Sequence, residues 1–120
     1  MNAEEKAMLA VEVIASKKGG EIEVLDVSPI TQIAERFVIA KAKNRAQSQS
    51  IADELELKFK EREELPLRVE GYREGGWILL DFGDCIIHVF LPEEKEYYKL
   101  TDLWKDAAVT RYDEDGEVTA

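Results

Sequence analysis

Apolar positions are densest between Gly76 and Leu91, where Trp77–Phe82 and Cys85–Phe90 flank the pair Gly83-Asp84. Two runs rich in β-formers around a glycine-first pair predict a β-hairpin closed by a type II′ turn. A two-residue loop fixes the register. On one face Phe82 opposes Cys85, Leu80 opposes Ile87 and Ile78 opposes Val89; on the other, Asp81 meets Ile86, Leu79 meets His88 and Trp77 meets Phe90. The first face is uniformly apolar and is predicted to lie on the core. The second mixes Trp77, Leu79, Ile86 and Phe90 with Asp81 and His88, and two readings compete for it. A helix covers it, as in many open sheets, or it is a platform for a partner, since an aromatic-aliphatic patch rimmed by charge is what an interface presents.

The same reading extends along the chain. Residues 3–18 predict a helix with Ala7, Ala10, Val11 and Ile14 at helical spacing, ended by Gly19-Gly20. Ile22–Val27 predicts a strand, Ser28-Pro29 a turn, Ile30–Glu35 a short helix, and the run Phe37–Ala40 a buried strand. After the basic loop Lys41–Arg45, Asn44 is a suitable N-cap for a helix carrying Ile51, Ala52, Leu55 and Phe59 to about Glu64, where Leu65-Pro66 stops it. Leu67–Glu70 predicts a strand and Gly71–Gly75 a turn before the hairpin. Pro92-Glu93-Glu94 opens a short helix through Tyr97, Tyr98 and Leu100, and Leu103-Trp104 forms a last docked turn. From Thr110 onward no apolar period remains, so residues 110–120 read as a flexible acidic tail on a domain spanning 1–109. Helices interleaved with strands imply a single α/β domain, a mixed sheet flanked by helices.

Composition narrows the function. With 26 acidic against 16 basic residues the net charge is −10. That balance disfavours gripping nucleic acid over a broad surface, which draws on Lys and Arg against phosphates, and it favours a basic partner. No apolar run approaches the roughly 20 residues that span a bilayer, and the start Met-Asn-Ala-Glu-Glu-Lys resembles neither a transit peptide nor a secretory signal. The expectation is a cytoplasmic protein without a membrane partner. The lone Cys85 reads as a small buried hydrophobe, with a catalytic thiol as the alternative.

Candidate chemistry is thin. Asp26, Asp81 and Asp84 fall at strand ends, where a metal-dependent nucleotidyl or phosphoryl transferase would keep a catalytic pair such as Asp26 and Asp81. Such an enzyme also needs a Gly-Ser turn opening a helix onto the triphosphate, and the chain has none. It also lacks a P-loop, Gly-x-Gly-x-x-Gly, Cys-x-x-Cys and Gly-x-Ser-x-Gly. His88 is the only histidine, which excludes a multi-histidine metal site. No catalytic residue, metal or cofactor is expected.

Several segments in order carry a resemblance: Leu25-Asp26-Val27-Ser28, Ile33-Ala34 with Phe37–Ala40, Gln47 with Ile51-Ala52-Asp53, Pro66–Gly71, Trp77–Phe90, and Tyr98-x-Leu100-x-x-Leu103-Trp104. Together, over about residues 5–108, the chain resembles the ribosomal silencing factor family, also called the Iojap family. The resemblance implies a nucleotidyltransferase-like fold that has lost catalysis and acts by binding. Family members dock on ribosomal protein fourteen of the large subunit, hinder subunit joining and damp translation when nutrients run short; many are homodimers when free. On that basis Trp77, Leu79, Ile86, His88 and Phe90 are candidate apolar or ring contacts, Asp81 and Asp84 candidates for pairing with Lys or Arg of the partner, and Tyr98 an extension of the patch. One segment departs from the family. Where relatives read close to Thr-Gly-x-Ser-x-Arg-Gln, this chain has Lys41-Ala42-Lys43-Asn44-Arg45-Ala46-Gln47, and Lys41, Lys43 and Arg45 become candidates for a minor contact with ribosomal RNA.

Overall fold

The hairpin lies inside the sheet, in the computed structural model of the chain, which describes residues 1–119. Its strands are β4 (Trp77–Asp81) and β5 (Cys85–Phe90), in the register expected, with Asp81 opposite Ile86, Leu79 opposite His88 and Trp77 opposite Phe90. At the turn Gly83 has φ +87°, the left-handed value that the first position of a II′ turn requires and glycine adopts without cost.

Around it run α1 (Ala3–Ser16), β1 (Gly20–Asp26), β2 (Arg36–Lys41), α2 (Arg45–Lys60), β3 (Arg68–Glu70), α3 (Pro92–Tyr98), α4 (Leu100–Leu103) and β6 (Ala108–Tyr112). The six strands form one mixed sheet in the order β3-β4-β5-β2-β1-β6. Only β2 and β5 pair in parallel; the other neighbours are antiparallel. The chain is thus a single α/β domain.

Helices α1 and α2 cover the sheet face that carries Ile78, Leu80, Phe82, Cys85, Ile87 and Val89, and those side chains join Ala10, Ile14, Ile51, Leu55 and Phe59 in the main core. Both helices start at capped ends. Asn2 and Glu5 form a reciprocal capping box on α1, and Asn44 accepts the Gln47 N–H at 2.9 Å on α2.

Four local expectations are corrected. Helix α1 stops at Ser16, not residue 18, and Lys18 rather than a glycine takes the left-handed turn, at φ 67°. Gly19 is needed for space: a Cβ there would collide with the Ile14 side chain. Likewise α2 stops at Lys60, short of Glu64. Ile30–Glu35 forms turns, not a helix. The Val27 carbonyl accepts from Ile30 and Thr31, and the chain then ties Glu35 and Arg36 N–H groups to the Asp84 carbonyl. Only Ala34 of that segment is buried, too little apolar surface to dock a helix. Lastly, residues 110–119 are not a frayed tail. Strand β6 pairs with β1 from Ala108 to Tyr112, and a turn at Asp113–Gly116 returns Thr119 to donate to the Arg111 carbonyl. The expected boundary at residue 109 therefore falls inside a strand; Ala120 lies outside the described residues.

Candidate partner-binding face

The second sheet face can be read row by row from the register. One row runs Trp77, Phe90, Lys41; the next runs Glu70, Leu79, His88, Ile39, Glu23, Arg111; the third runs Arg68, Asp81, Ile86, Phe37, Leu25, Val109. Over these rows α3 and α4 lie as a strap. Pro92 starts α3 at its first turn, and Lys99, at φ 45°, makes the left-handed joint between the two short helices.

The strap covers part of this face and leaves another part open. Tyr98 packs on Trp77 with ring centroids 4.6 Å apart, and Trp104 meets Phe37 edge-on at 5.1 Å. Under them a second, smaller core gathers Leu25, Phe37, Ile39, Ile86 and Phe90, with Leu100 and Trp104 against it. Ile86, His88 and Phe90 are buried at 7, 4 and 0 % exposure. These three candidate contacts lie beneath the surface and back it. Trp77, Leu79 and Asp81 in the β4 column stay half-open, and Tyr98 is exposed.

His88 explains how the indole is held. Its Nδ1 accepts from Trp77 Nε1 at 3.1 Å, so its proton resides on Nε2, which has no hydrogen-bond partner among the described residues. Burial pushes its pKa down to about 4, because charging it would desolvate a cation with no carboxylate beside it. The ring is therefore neutral at physiological pH and fixes the rotamer of Trp77.

The two carboxylates expected to pair with a partner are engaged at home. Asp81 accepts from the Gly83 N–H at 2.8 Å and from Arg68 Nε at 3.2 Å. Asp84 holds Lys6 Nζ at 2.8 Å, and the same ammonium reaches Glu64 at 3.0 Å and the Phe82 carbonyl at 2.9 Å. Asp84 thus anchors α1 and is not part of the open face. Lys41 is also engaged, 2.9 Å from Glu21, whereas Lys43 and Arg45 are exposed.

The alternative of a catalytic metal pair fails on geometry. Asp26 follows Leu25, which shares a row with Asp81, so the two carboxylates point to opposite faces of the sheet. Three strand spacings also separate them, about 14 Å. Asp26 itself accepts from the Ser28 hydroxyl and amide and pairs with Arg36 at 3.0 Å, contacts that hold its carboxyl below the usual range. Cys85 is fully buried and its thiol is pushed up to about 12 by burial, which leaves no thiolate for chemistry.

Two structural residues escaped the sequence reading. Lys6 is buried on the same α1 face as Ala3, Ala7 and Ala10; a lysine inside an alanine stripe was the available signal. Glu23, 7 % exposed, accepts from Thr101 Oγ1 at 2.9 Å and pairs with Arg111 at 3.3 Å and Lys95 at 3.6 Å. It latches the strap to β1.

Comparison with known proteins agrees with this architecture. Residues 1–120 match the family model described as ribosomal silencing factor during starvation. A ribosomal silencing factor from Halalkalibacterium halodurans is 37% identical over 107 residues, 89% of this chain and 92% of that protein. One from Bacillus subtilis is 33% identical, covering 94% and 96%. A crystal structure of a Chromobacterium violaceum protein superposes with a TM-score of 0.85 at 33% identity, over 88% of each chain. The chain belongs to the ribosomal silencing factor family.

Proposed function

We propose that this protein silences translation by occupying the large ribosomal subunit, seated on ribosomal protein fourteen, so that the small subunit cannot join. The work is steric. A nucleotidyltransferase-like framework supplies a rigid surface and performs no chemical step, consistent with the separation of Asp26 from Asp81. The observation that carries the reading is the half-open β4 column, Trp77 and Leu79 beside exposed Tyr98, held firm by the buried His88, Ile86 and Phe90. Rigid aromatic anchors of this kind concentrate binding energy. The net charge of −10 steers the protein toward a basic ribosomal protein. The family description ties the role to starvation, and the protein acts in the cytoplasm, existing as a homodimer when free of ribosomes.

Co-sedimentation with purified large subunits, paired with a subunit-joining assay on sucrose gradients, tests this. Leu79→Asp and Tyr98→Ala are each expected to weaken binding at least tenfold, about 1.4 kcal/mol or more, and to restore joining. Normal binding by both folded variants would place the platform elsewhere. Purified ribosomal protein fourteen identifies the partner directly, and sedimentation equilibrium of the free chain reports the dimer.

A further inference from the structure

The sixteen basic residues are unevenly used. Lys6, Arg36, Lys41, Lys58, Arg68, Lys95, Lys99 and Arg111 all stand in ion pairs within the chain. Of the eight that stand in none among the described residues, Lys60, Arg62 and Lys105 lie elsewhere, whereas Lys17, Lys18, Lys43, Arg45 and Arg73 belong to three segments that the fold brings together. The Gln47 side chain joins the first two. Its Nε2 donates to the Lys17 and Lys18 carbonyls at 3.1 and 3.0 Å, while its Oε1 accepts the Lys43 N–H at 2.7 Å. One amide group thus spans from the end of α1 to the β2–α2 loop.

The third segment is the turn between β3 and β4. Ser48 Oγ donates to the Gly75 carbonyl at 2.8 Å, and Gln49 Nε2 donates to the Tyr72 carbonyl at 2.9 Å. A Cβ on Gly75 would come within 2.5 Å of Arg45 Cγ, so the arginine stem lies across that turn. Arg73 sits in the same turn. Lys18, Lys43, Arg45 and Arg73 are exposed and Lys17 half-exposed. Five cations thus share one end of the molecule, with Glu74 in the turn itself, Asp53 on Tyr72 and Glu94 beside Gly76 as the neighbouring carboxylates, in a chain of net charge −10.

We infer that this end binds the phosphate backbone of RNA and forms a second, electrostatic contact of the silencing factor with the large subunit. The inference rests on the ribosome-binding reading and adds to it. It removes Lys41, whose charge is spent on Glu21, and brings in Lys17, Lys18 and Arg73. Cations left without carboxylate partners against a strongly acidic background are what phosphates reward, through released counterions. A patch of this size suits a few backbone phosphates and no base-specific readout.

The test is the salt dependence of large-subunit binding for the wild type and for the triple variant Lys18→Glu/Lys43→Glu/Arg45→Glu, with thermal melts to verify folding of these surface changes. The expected result is a tenfold or greater loss of affinity at low salt and a fall of roughly two to three in the slope of log affinity against log salt, about one per cation removed. A photo-crosslinker at Lys43 is expected to label RNA. Wild-type binding with an unchanged slope in the variant overturns the inference, as does labelling confined to ribosomal protein. Failure of the wild type to sediment with large subunits at any salt would instead overturn the ribosome-binding reading, and the inference with it.

Discussion

Replacing Lys6 by methionine isolates what holds α1 to the turn of the hairpin. The ammonium makes three polar contacts, to the Phe82 carbonyl, Asp84 and Glu64, and the residue is 8 % exposed. Burial opposes its charge, but the hydrogen bonds and charges of Asp84 and Glu64 outweigh that and raise its pKa. Methionine keeps the apolar stem and removes every donor. The Phe82 carbonyl is then left without this partner, at about 1–3 kcal/mol. The carboxylates, with 31 and 25 % of their side-chain surface exposed, recover hydration and add little, as surface pairs do. The net expectation is about 2–3 kcal/mol. For 120 residues the unfolding entropy near the midpoint is roughly 0.25 kcal/mol/K, so Tm falls by about 10 °C. Urea titration of the single variants Lys6→Met and Asp84→Asn and of the double variant yields a coupling energy of about 1 kcal/mol or more. Asp84→Asn, once corrected for the folded fraction, leaves large-subunit affinity unchanged. A Lys6→Met variant within about 0.5 kcal/mol of wild type, or zero coupling, refutes the anchor.

Three further outcomes follow from the same contacts. His88 has a folded pKa of about 4 against an ordinary 6.5, so the unfolded chain binds the extra proton between those values and stability falls as pH drops from 6.5 toward 4. The loss approaches about 3 kcal/mol and disappears from the difference between pH 7 and pH 5 in His88→Gln melts. Gly71→Ala costs more than about 2 kcal/mol by urea titration, because φ is +76° and the added Cβ meets the Trp77 carbonyl, a backbone atom that cannot swing aside. Cys85, with its thiol pushed up to about 12, reacts with a chromogenic disulfide only as fast as the chain unfolds; stoichiometric labelling of the native protein within seconds contradicts its burial.

The hairpin was legible because two runs of β-formers around a two-residue, glycine-first turn determine register locally, and every pair from Trp77–Phe90 to Asp81–Ile86 falls where that logic puts it. The cap at Asn44 and the helix start at Pro92 were legible for the same reason: their chemistry acts within one turn. Strand β6 was not, since it is held by backbone bonds to β1 and its residues show no apolar period to read. Alternation also tells which side chains share a face without telling what lies upon it. Ile86, His88 and Phe90 were grouped correctly with Trp77 and Leu79, yet their burial depends on where Tyr98, Leu100 and Trp104 come to rest. The ion pair of Asp84 was hidden in the same way: its partner Lys6 is 78 residues away.

Where the strap rests follows from its anchors. Leu91 donates to the Gly76 carbonyl at 2.9 Å, so α3 departs from the end of the sheet where β4 begins and β5 finishes. Seven helical residues advance it about 10 Å. Its ties then draw it across the sheet: Lys95 to Glu21 and Glu23, Thr101 to Glu23, and Trp104 to Phe37, all on β1 and β2. None reaches Leu79 or Asp81. Beyond Trp77, on which Tyr98 rests, the β4 column is left open because the strap is fastened on the other side, not because the column lacks apolar residues to bury. The latch on Glu23 closes the second core over β5, β2 and β1, and the surplus, Trp77 and Leu79 with Tyr98, remains a preorganised edge, which under the proposed function a partner would meet without reordering the chain.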